Sequence, residues 1–284
     1  MNFAFDAIIS ALGEPYFRDD QIAIYLGDSL KLLRQFPENS IDLVVTSPPY
    51  NIGKEYESVL RLNDYVEWCS SWLQLLHSAT STNGTMWLNL GYLEVPEKAK
   101  ALPIPYLLWN HIPFYIQQEI VWNYSAGVAC KNRFSPRNEK MLWCTKSPEN
   151  YLFNLDDVRD PNVKYPLQRK NGKLRCNPNG KNPSDVWEIS KVTSGENRSS
   201  KERTSHPAQY PEELVARCIK ASSNRDSIVL DPFLGSGTTL GVAYSLKRPA
   251  IGIEIRKDYA DIAVQRLLAL KRSHAEFLPF ATAS

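Results

Sequence analysis

A chain of 284 residues with 43% hydrophobic and 23% charged side chains has the composition of an ordinary globular protein, with one sizeable core and room for one inserted lobe. Its net charge of +2 gives no overall bias toward a polyanion. Five cysteines without a Cys-x-x-Cys pair argue against a disulfide framework or a zinc site; with no basic n-region in Met1–Ser10 and no apolar run near about eighteen residues, a reducing cytoplasm is the expected setting.

In chain order the sequence predicts strands alternating with helices. Ile22–Leu26 reads as a short strand, followed by Gly27-Asp28 and a helix to about Phe36. Ile41–Thr46 is an apolar, β-branched run and reads as a buried strand. It stops at Ser47-Pro48-Pro49-Tyr50, because two prolines cannot continue a central strand. Asn51–Leu62 is expected to be a loop. Asn63 or Asp64 would cap a helix carrying Trp68, Trp72, Leu75 and Leu76. Thr85–Leu90 reads as a strand, and Ile116–Tyr124 with Lys140–Thr145 as an antiparallel pair whose connecting loop holds Lys131, Arg133 and Arg137.

Pro211–Ser222 reads as a helix, Ser227–Leu230 as a strand, Asp231–Gly237 as a turn and Thr238–Lys247 as a helix. Ala250–Glu254 (strand) and Arg256–Lys271 (helix) follow, with a loose tail after about Ser273. This alternation implies an α/β fold: a Rossmann-like, mostly parallel sheet with helices on both faces.

The charge is unevenly spread. Between Arg159 and Ser205 there are eleven basic and five acidic residues, a local +6. The stretch is rich in Pro, Asn and Gly and lacks periodicity, so residues 159–205 are expected to form an insertion, with 1–158 and 206–284 as the core. Such basicity suits a phosphate backbone, although a solvated surface loop has the same composition.

Two motifs carry chemistry. In Asp231-Pro232-Phe233-Leu234-Gly235-Ser236-Gly237-Thr238-Thr239 a strand ends, glycines turn the chain, and a helix begins. Backbone can then approach a ligand closely at a helix N-terminus. No Lys follows the last glycine, so this is not a P-loop. Seventeen residues after Gly237, Glu254 ends the next strand, the place where an acidic residue commonly holds ribose hydroxyls. The other motif, Ser47-Pro48-Pro49-Tyr50, puts a hydroxyl, a free carbonyl and an aromatic face at the carboxyl end of a strand. Each also has a bland reading: a tight structural turn, and a Pro-Pro strand terminator beside a surface tyrosine.

Together the motifs resemble the amino-methyltransferases of bacterial restriction–modification systems. The tetrapeptide precedes the cofactor glycines and a basic region lies between them, as in the β subgroup. The likeness spans about Ile22 to Leu268 and includes Gly27-Asp28, Lys131-Asn132-Arg133-Phe134, the Asn182–Trp187 segment and His206-Pro207. It implies S-adenosylmethionine as cofactor, with Gly235, Ser236 and Gly237 against its methionine part, Glu254 on the ribose, and Asp231, Phe233 and Thr238 also among the residues that bind it. Asp28 would accept from the adenine amino group, or simply cap its helix. His206 would lie near the cofactor's amino-acid end, or be only a turn residue.

The resemblance further implies double-stranded DNA with the target base flipped out. Ser47 and the Pro48 carbonyl would accept from an exocyclic amine and Tyr50 would stack on the base, with Pro49 stiffening the turn. No metal is needed. Serine at the first position resembles the cytosine N4 enzymes, where the adenine N6 enzymes commonly have aspartate, so cytosine N4 is favoured over adenine N6. Lys131, Arg133, Arg169, Lys170, Lys173, Arg175 and Lys181 are the candidates for phosphate and base contacts.

A cognate restriction endonuclease acting on the same site and a homodimer are implied partners, and a membrane is not. Cytosine C5 chemistry is disfavoured because no cysteine here follows a proline. Protein-glutamine and RNA-amine methylases usually carry the two motifs in the opposite order. A non-catalytic DNA-binding protein on this scaffold is the alternative from another class.

Overall fold

The computed structural model describes residues 3–127, 129–193 and 200–276. In chain order the elements are α1 (Phe3–Leu12), β1 (Phe17–Arg18), β2 (Ile22–Leu26), α2 (Ser29–Leu33), β3 (Ile41–Thr46), α3 (Leu62–Ala79), β4 (Thr80–Leu90), β5 (Tyr92–Val95), β6 (Ala99–Pro103), α4 (Ile104–Leu108), β7 (Tyr115–Asn123) and β8 (Asn138–Thr145). They continue with β9 (Arg169–Lys170), β10 (Lys173–Leu174), β11 (Val186–Glu188), α5 (Glu212–Ser222), β12 (Val229–Asp231), α6 (Thr238–Ser245), β13 (Ala250–Glu254) and α7 (Lys257–Glu276).

Nine strands form one sheet in the order β1-β2-β13-β12-β3-β4-β8-β7-β11. The run from β2 to β4 is parallel, β11 pairs parallel with β7, and the β1–β2, β4–β8 and β8–β7 pairs are antiparallel. Parallel strands buried on both faces explain why Ile22–Leu26 and Ile41–Thr46 read as continuous apolar runs. Alternate residues feed two cores. Ala23, Tyr25, Val44 and Leu88 pack with α1, α3 and α4, whereas Ile22, Ile24, Val45 and Trp87 pack with α5, α6 and α7.

The chain leaves β3 toward α3 on one face and leaves β12 toward α6 on the other. Loops that depart in opposite directions open a crevice between adjacent carboxyl ends, where ligands bind in open α/β sheets.

Several boundaries differ from the sequence reading. Phe3–Leu12, where the sequence shows only a short apolar stretch, forms α1, whose Phe5, Ile8, Ile9 and Leu12 are buried. The α3 helix starts at Leu62 and its N-cap is Arg61, which makes no side-chain cap bond; Asp64 instead pairs with the Arg61 guanidinium at 2.7 Å. The β4 strand starts directly after α3, five residues earlier than Thr85. The β5–β6 hairpin was not anticipated.

Segment 159–205 is not a single peripheral unit. Its first part is mostly exposed and holds the small β9–β10 hairpin. The β11 strand then joins the main sheet, burying Trp187, Ile189 and Val192. Trp187 packs against Trp87 at 5.6 Å and lies under the Arg217 guanidinium. The apolar surface of Val-Trp-Glu-Ile recruits this stretch to the core, whatever the charge around it. Residues 194–199 and the end of the tail lie outside the described residues. Among the described residues, no helix is long and apolar enough to cross a membrane.

Candidate active site

The Ser47–Tyr50 tetrapeptide leaves β3 beside the carboxyl end of β12. Thr46 donates to Asp231 at 2.8 Å and ties the two strand ends together. Asp231 is fully buried and also accepts from Thr239 (2.6 Å), Tyr210 (3.1 Å) and the Phe233 amide (3.1 Å). Burial holds its carboxyl above the usual carboxylate range, while these donors oppose the shift. Asp231, expected beside the cofactor, is not among the residues lining the neighbouring cavity, and its contacts make it the clamp joining β3, β12 and α6.

Beyond Asp231 the glycines do different work. Gly235 has φ +53°, and a Cβ there would meet the His206 ring at 3.0 Å. Gly237 has φ +79°, and a Cβ there would strike Ala263 at 2.7 Å, so this glycine is required for α6 to pack on α7. Thr238 accepts from Arg266 at 3.0 Å, behind the turn. Asp231, Gly237 and Thr238 support the turn, and Pro232, Phe233, Leu234, Gly235 and Ser236 line the cavity.

That cavity has a volume of about 630 Å³, within the usual range for ligand sites. It brings Ser47, Pro48, Pro49 and Tyr50 together with Asp28, His206, Phe233, Gly235, Ser236 and Glu254. The Asp28 carboxylate caps α2 by accepting from Lys31 N–H at 3.1 Å, and the residue also lines the cavity. Glu254 is 7% exposed and accepts from the Gly235 amide (2.7 Å) and the Arg256 amide (2.9 Å). Burial raises its pKa. It thereby fixes the position of the glycine turn as well as facing the cleft.

His206 lies between aromatic rings, stacked on Tyr56 at 5.7 Å and edge-on to Tyr259 at 4.4 Å. Burial pushes its pKa down to about 4, so the imidazole is neutral at physiological pH. Tyr56 belongs to the loop after the tetrapeptide, which is ordered by its own polar groups. Glu57 accepts from the amides of Asn51, Ile52 and Lys54, and Asn51 exchanges two hydrogen bonds with Leu60. Tyr259 of α7 donates to Glu55 at 2.7 Å, anchoring the loop over the His206 end of the cleft.

At the other end of the cavity, Tyr50 donates to Glu139 of β8 at 3.1 Å and lies 2.9 Å from Ser47 Oγ. Burial holds the phenol far above its ordinary pKa, so it keeps its proton. A side chain at Gly91 would place Cβ 2.7 Å from the Tyr50 ring, so glycine there makes room for it. Asn89 donates to both Tyr50 and Glu139 at 2.8 Å. Lys191, just past β11, pairs with Glu139 at 2.8 Å and sits 3.7 Å from the Tyr124 ring centre.

Asn89, Glu139, Lys191 and Tyr124 were not singled out from sequence. Conversely, none of Lys131, Arg133, Arg169, Lys170, Lys173, Arg175 and Lys181 lines the cavity. The first two sit exposed in the β7–β8 loop, the next four lie in and beside the β9–β10 hairpin, and Lys181 pairs with Asp160 at 3.0 Å.

Comparison with known proteins finds relatives both in sequence and in fold. The Type II methyltransferase M.ScaI of Streptomyces caespitosus is 59% identical over 266 residues, covering 94% of this chain and 88% of its own. Among solved structures, the PvuII DNA methyltransferase (cytosine-N4-specific) superposes with a TM-score of 0.70 at 22% identity, covering 95% of this chain and 91% of that one. The M1.HpyAVI–SAM complex superposes with a TM-score of 0.58 at 24% identity, covering 87% and 98%. Residues 41–265 match the DNA methylase family of N6 and N4 methyltransferases, and the chain belongs to that family.

Proposed function

We propose that this protein transfers the methyl group of S-adenosylmethionine to the N4 amine of cytosine within a short sequence of double-stranded DNA, as the modification enzyme of a restriction–modification system. The observation that carries this reading is the meeting of Ser47–Tyr50 and the Gly235–Ser236 turn in one cavity. Serine at the first position of the tetrapeptide supports cytosine over adenine.

The cofactor suits the cleft. Gly235 leaves open the space where a side chain would fill the cradle, and the neutral His206 beside it does not repel a sulfonium. Glu254 would take the ribose hydroxyls, Asp28 the adenine amine, and Gly235 with Ser236 the methionine part. Bound there, S-adenosylmethionine would supply an electrophilic methyl group to the amine nitrogen, and the methylated amine would give up one proton to solvent.

The protein's part is positioning and charge placement. The Ser47 hydroxyl and the Pro48 carbonyl accept the two N–H bonds of the target amine, drawing its lone pair out of conjugation with the ring. The Tyr50 face supports the flipped base. The exposed Lys131, Arg133, Arg169, Lys170, Lys173, Arg175 and Lys181 would contact phosphates and base edges around the site.

Incubation with labelled cofactor and unmethylated DNA, followed by digestion to nucleosides, tests the reading. N4-methylcytosine is expected, and N6-methyladenine would transfer the assignment to the other base. Ser47→Ala and Tyr50→Ala should each lower methylation by at least about tenfold with cofactor affinity near normal. A parallel loss of cofactor binding would refute the assigned roles.

A further inference from the structure

The polar cluster behind Ser47 contains a carboxylate that belongs to neither motif. Glu139 reaches it from β8. Its Oε2 accepts from Tyr50 (3.1 Å) and Asn89 (2.8 Å), and its Oε1 accepts from Lys191 (2.8 Å). The Tyr50 oxygen has one proton to give and two lone pairs to fill. Asn89 Nδ2 donates into one lone pair at 2.8 Å. The phenol proton goes to Glu139, with the Asn89 carbonyl at 3.3 Å as a longer second acceptor. The remaining lone pair faces Ser47 Oγ at 2.9 Å, which leaves Ser47 as the donor in that contact. With its proton committed to Tyr50, the serine oxygen presents only lone pairs to the cavity.

We infer that Glu139, acting through Tyr50, is a positioning residue that holds Ser47 as a pure hydrogen-bond acceptor for the exocyclic amine of the target base. Lys191 keeps the carboxylate in place, and the neighbouring Tyr124 ring holds Lys191 in turn. The inference rests on the proposed reading that Ser47 accepts from the target amine. In Glu139→Gln an amide N–H can donate to Tyr50, filling the lone pair that Ser47 needs; the serine proton is then free to point at the substrate amine, where it repels.

The test is a double-mutant cycle on the full-length protein, reading single-turnover methyl transfer to DNA from labelled cofactor as total methyl incorporated, whichever base accepts it. Glu139→Gln and Tyr50→Phe should each slow transfer by about tenfold or more, with cofactor Kd within about twofold of wild type. The double variant should be no slower than the worse single one, because both substitutions break the same chain of hydrogen bonds. Losses that multiply, or a Glu139→Gln enzyme within twofold of wild type, would overturn the inference.

Glu139→Gln leaves Lys191 without its partner, so Glu139→Gln/Lys191→Met is the second probe. With no unpaired charge left, it should fold and still be slow; recovery to the wild-type rate would show that ion pairing alone mattered and would equally overturn the inference. A wild-type protein that transfers no methyl to DNA at all would instead refute the proposed function.

Discussion

Replacing Asp231 with alanine removes the acceptor for three hydroxyls and one amide in a site with no water access. Two donors can find substitutes. Thr239 already lies 3.4 Å from the Val45 carbonyl, and Tyr210 is within hydrogen-bond reach of Thr239. Thr46 and the Phe233 amide are left unpaired. At about 1–3 kcal/mol for each unsatisfied buried group, Asp231→Ala should destabilise the fold by about 2–6 kcal/mol.

Asp231→Asn should behave differently. The amide oxygen keeps an acceptor for Thr46 and Phe233, the amide nitrogen can donate to a hydroxyl, and the charge that burial disfavours disappears. Its cost should be about 1 kcal/mol or less. Urea unfolding followed by tryptophan fluorescence measures both, read as midpoint shifts at constant m. An asparagine variant as unstable as the alanine one would refute this account of the clamp. A folded Asp231→Asn protein that no longer binds the cofactor would return Asp231 to the cofactor site.

Two further outcomes are expected. The His206 pKa of about 4 lies below the ordinary 6.5, so the neutral ring's contribution is complete above pH 6.5 and is lost as the pH falls toward 4; between pH 7.5 and 4.5 the stability advantage of wild type over His206→Phe should shrink by up to about 2.5 kcal/mol, measured by paired denaturant titrations. An advantage that stays constant would contradict the buried, neutral imidazole. Changing Arg169, Lys170 and Lys173 to alanine should flatten the dependence of log K on log salt for DNA by about 0.9 for each phosphate no longer neutralised. An unchanged slope in a fluorescence-anisotropy titration would remove the β9–β10 hairpin from the DNA interface.

The amino-acid sequence alone determined the features that depend on neighbours along the chain. Strands β2, β3, β12 and β13 were legible because burial on both faces demands mostly apolar runs. The two loops that meet in the cleft were legible because Pro-Pro and Gly-Ser-Gly dictate what backbone does after a strand. Helix α1 and the return of Trp187 to the core escaped notice, since in short or charged stretches local composition competes with an apolar contact made far away in the chain.

Only the tertiary structure decided which polar groups meet. Asp231 sits inside the glycine motif, yet it serves the strands because Thr46, 185 positions away, donates to it. Asn89 and Glu139 converge on Tyr50 through the β4–β8 register, in which Leu90 faces Lys140 and Asn89 faces Met141, and Lys191, past β11, reaches Glu139. Slipping that pairing by one residue would turn Glu139 to the opposite face of the sheet. Side-chain alternation along a strand is a local property, whereas the register that aims one carboxylate at one phenol is set by the packing of the whole sheet.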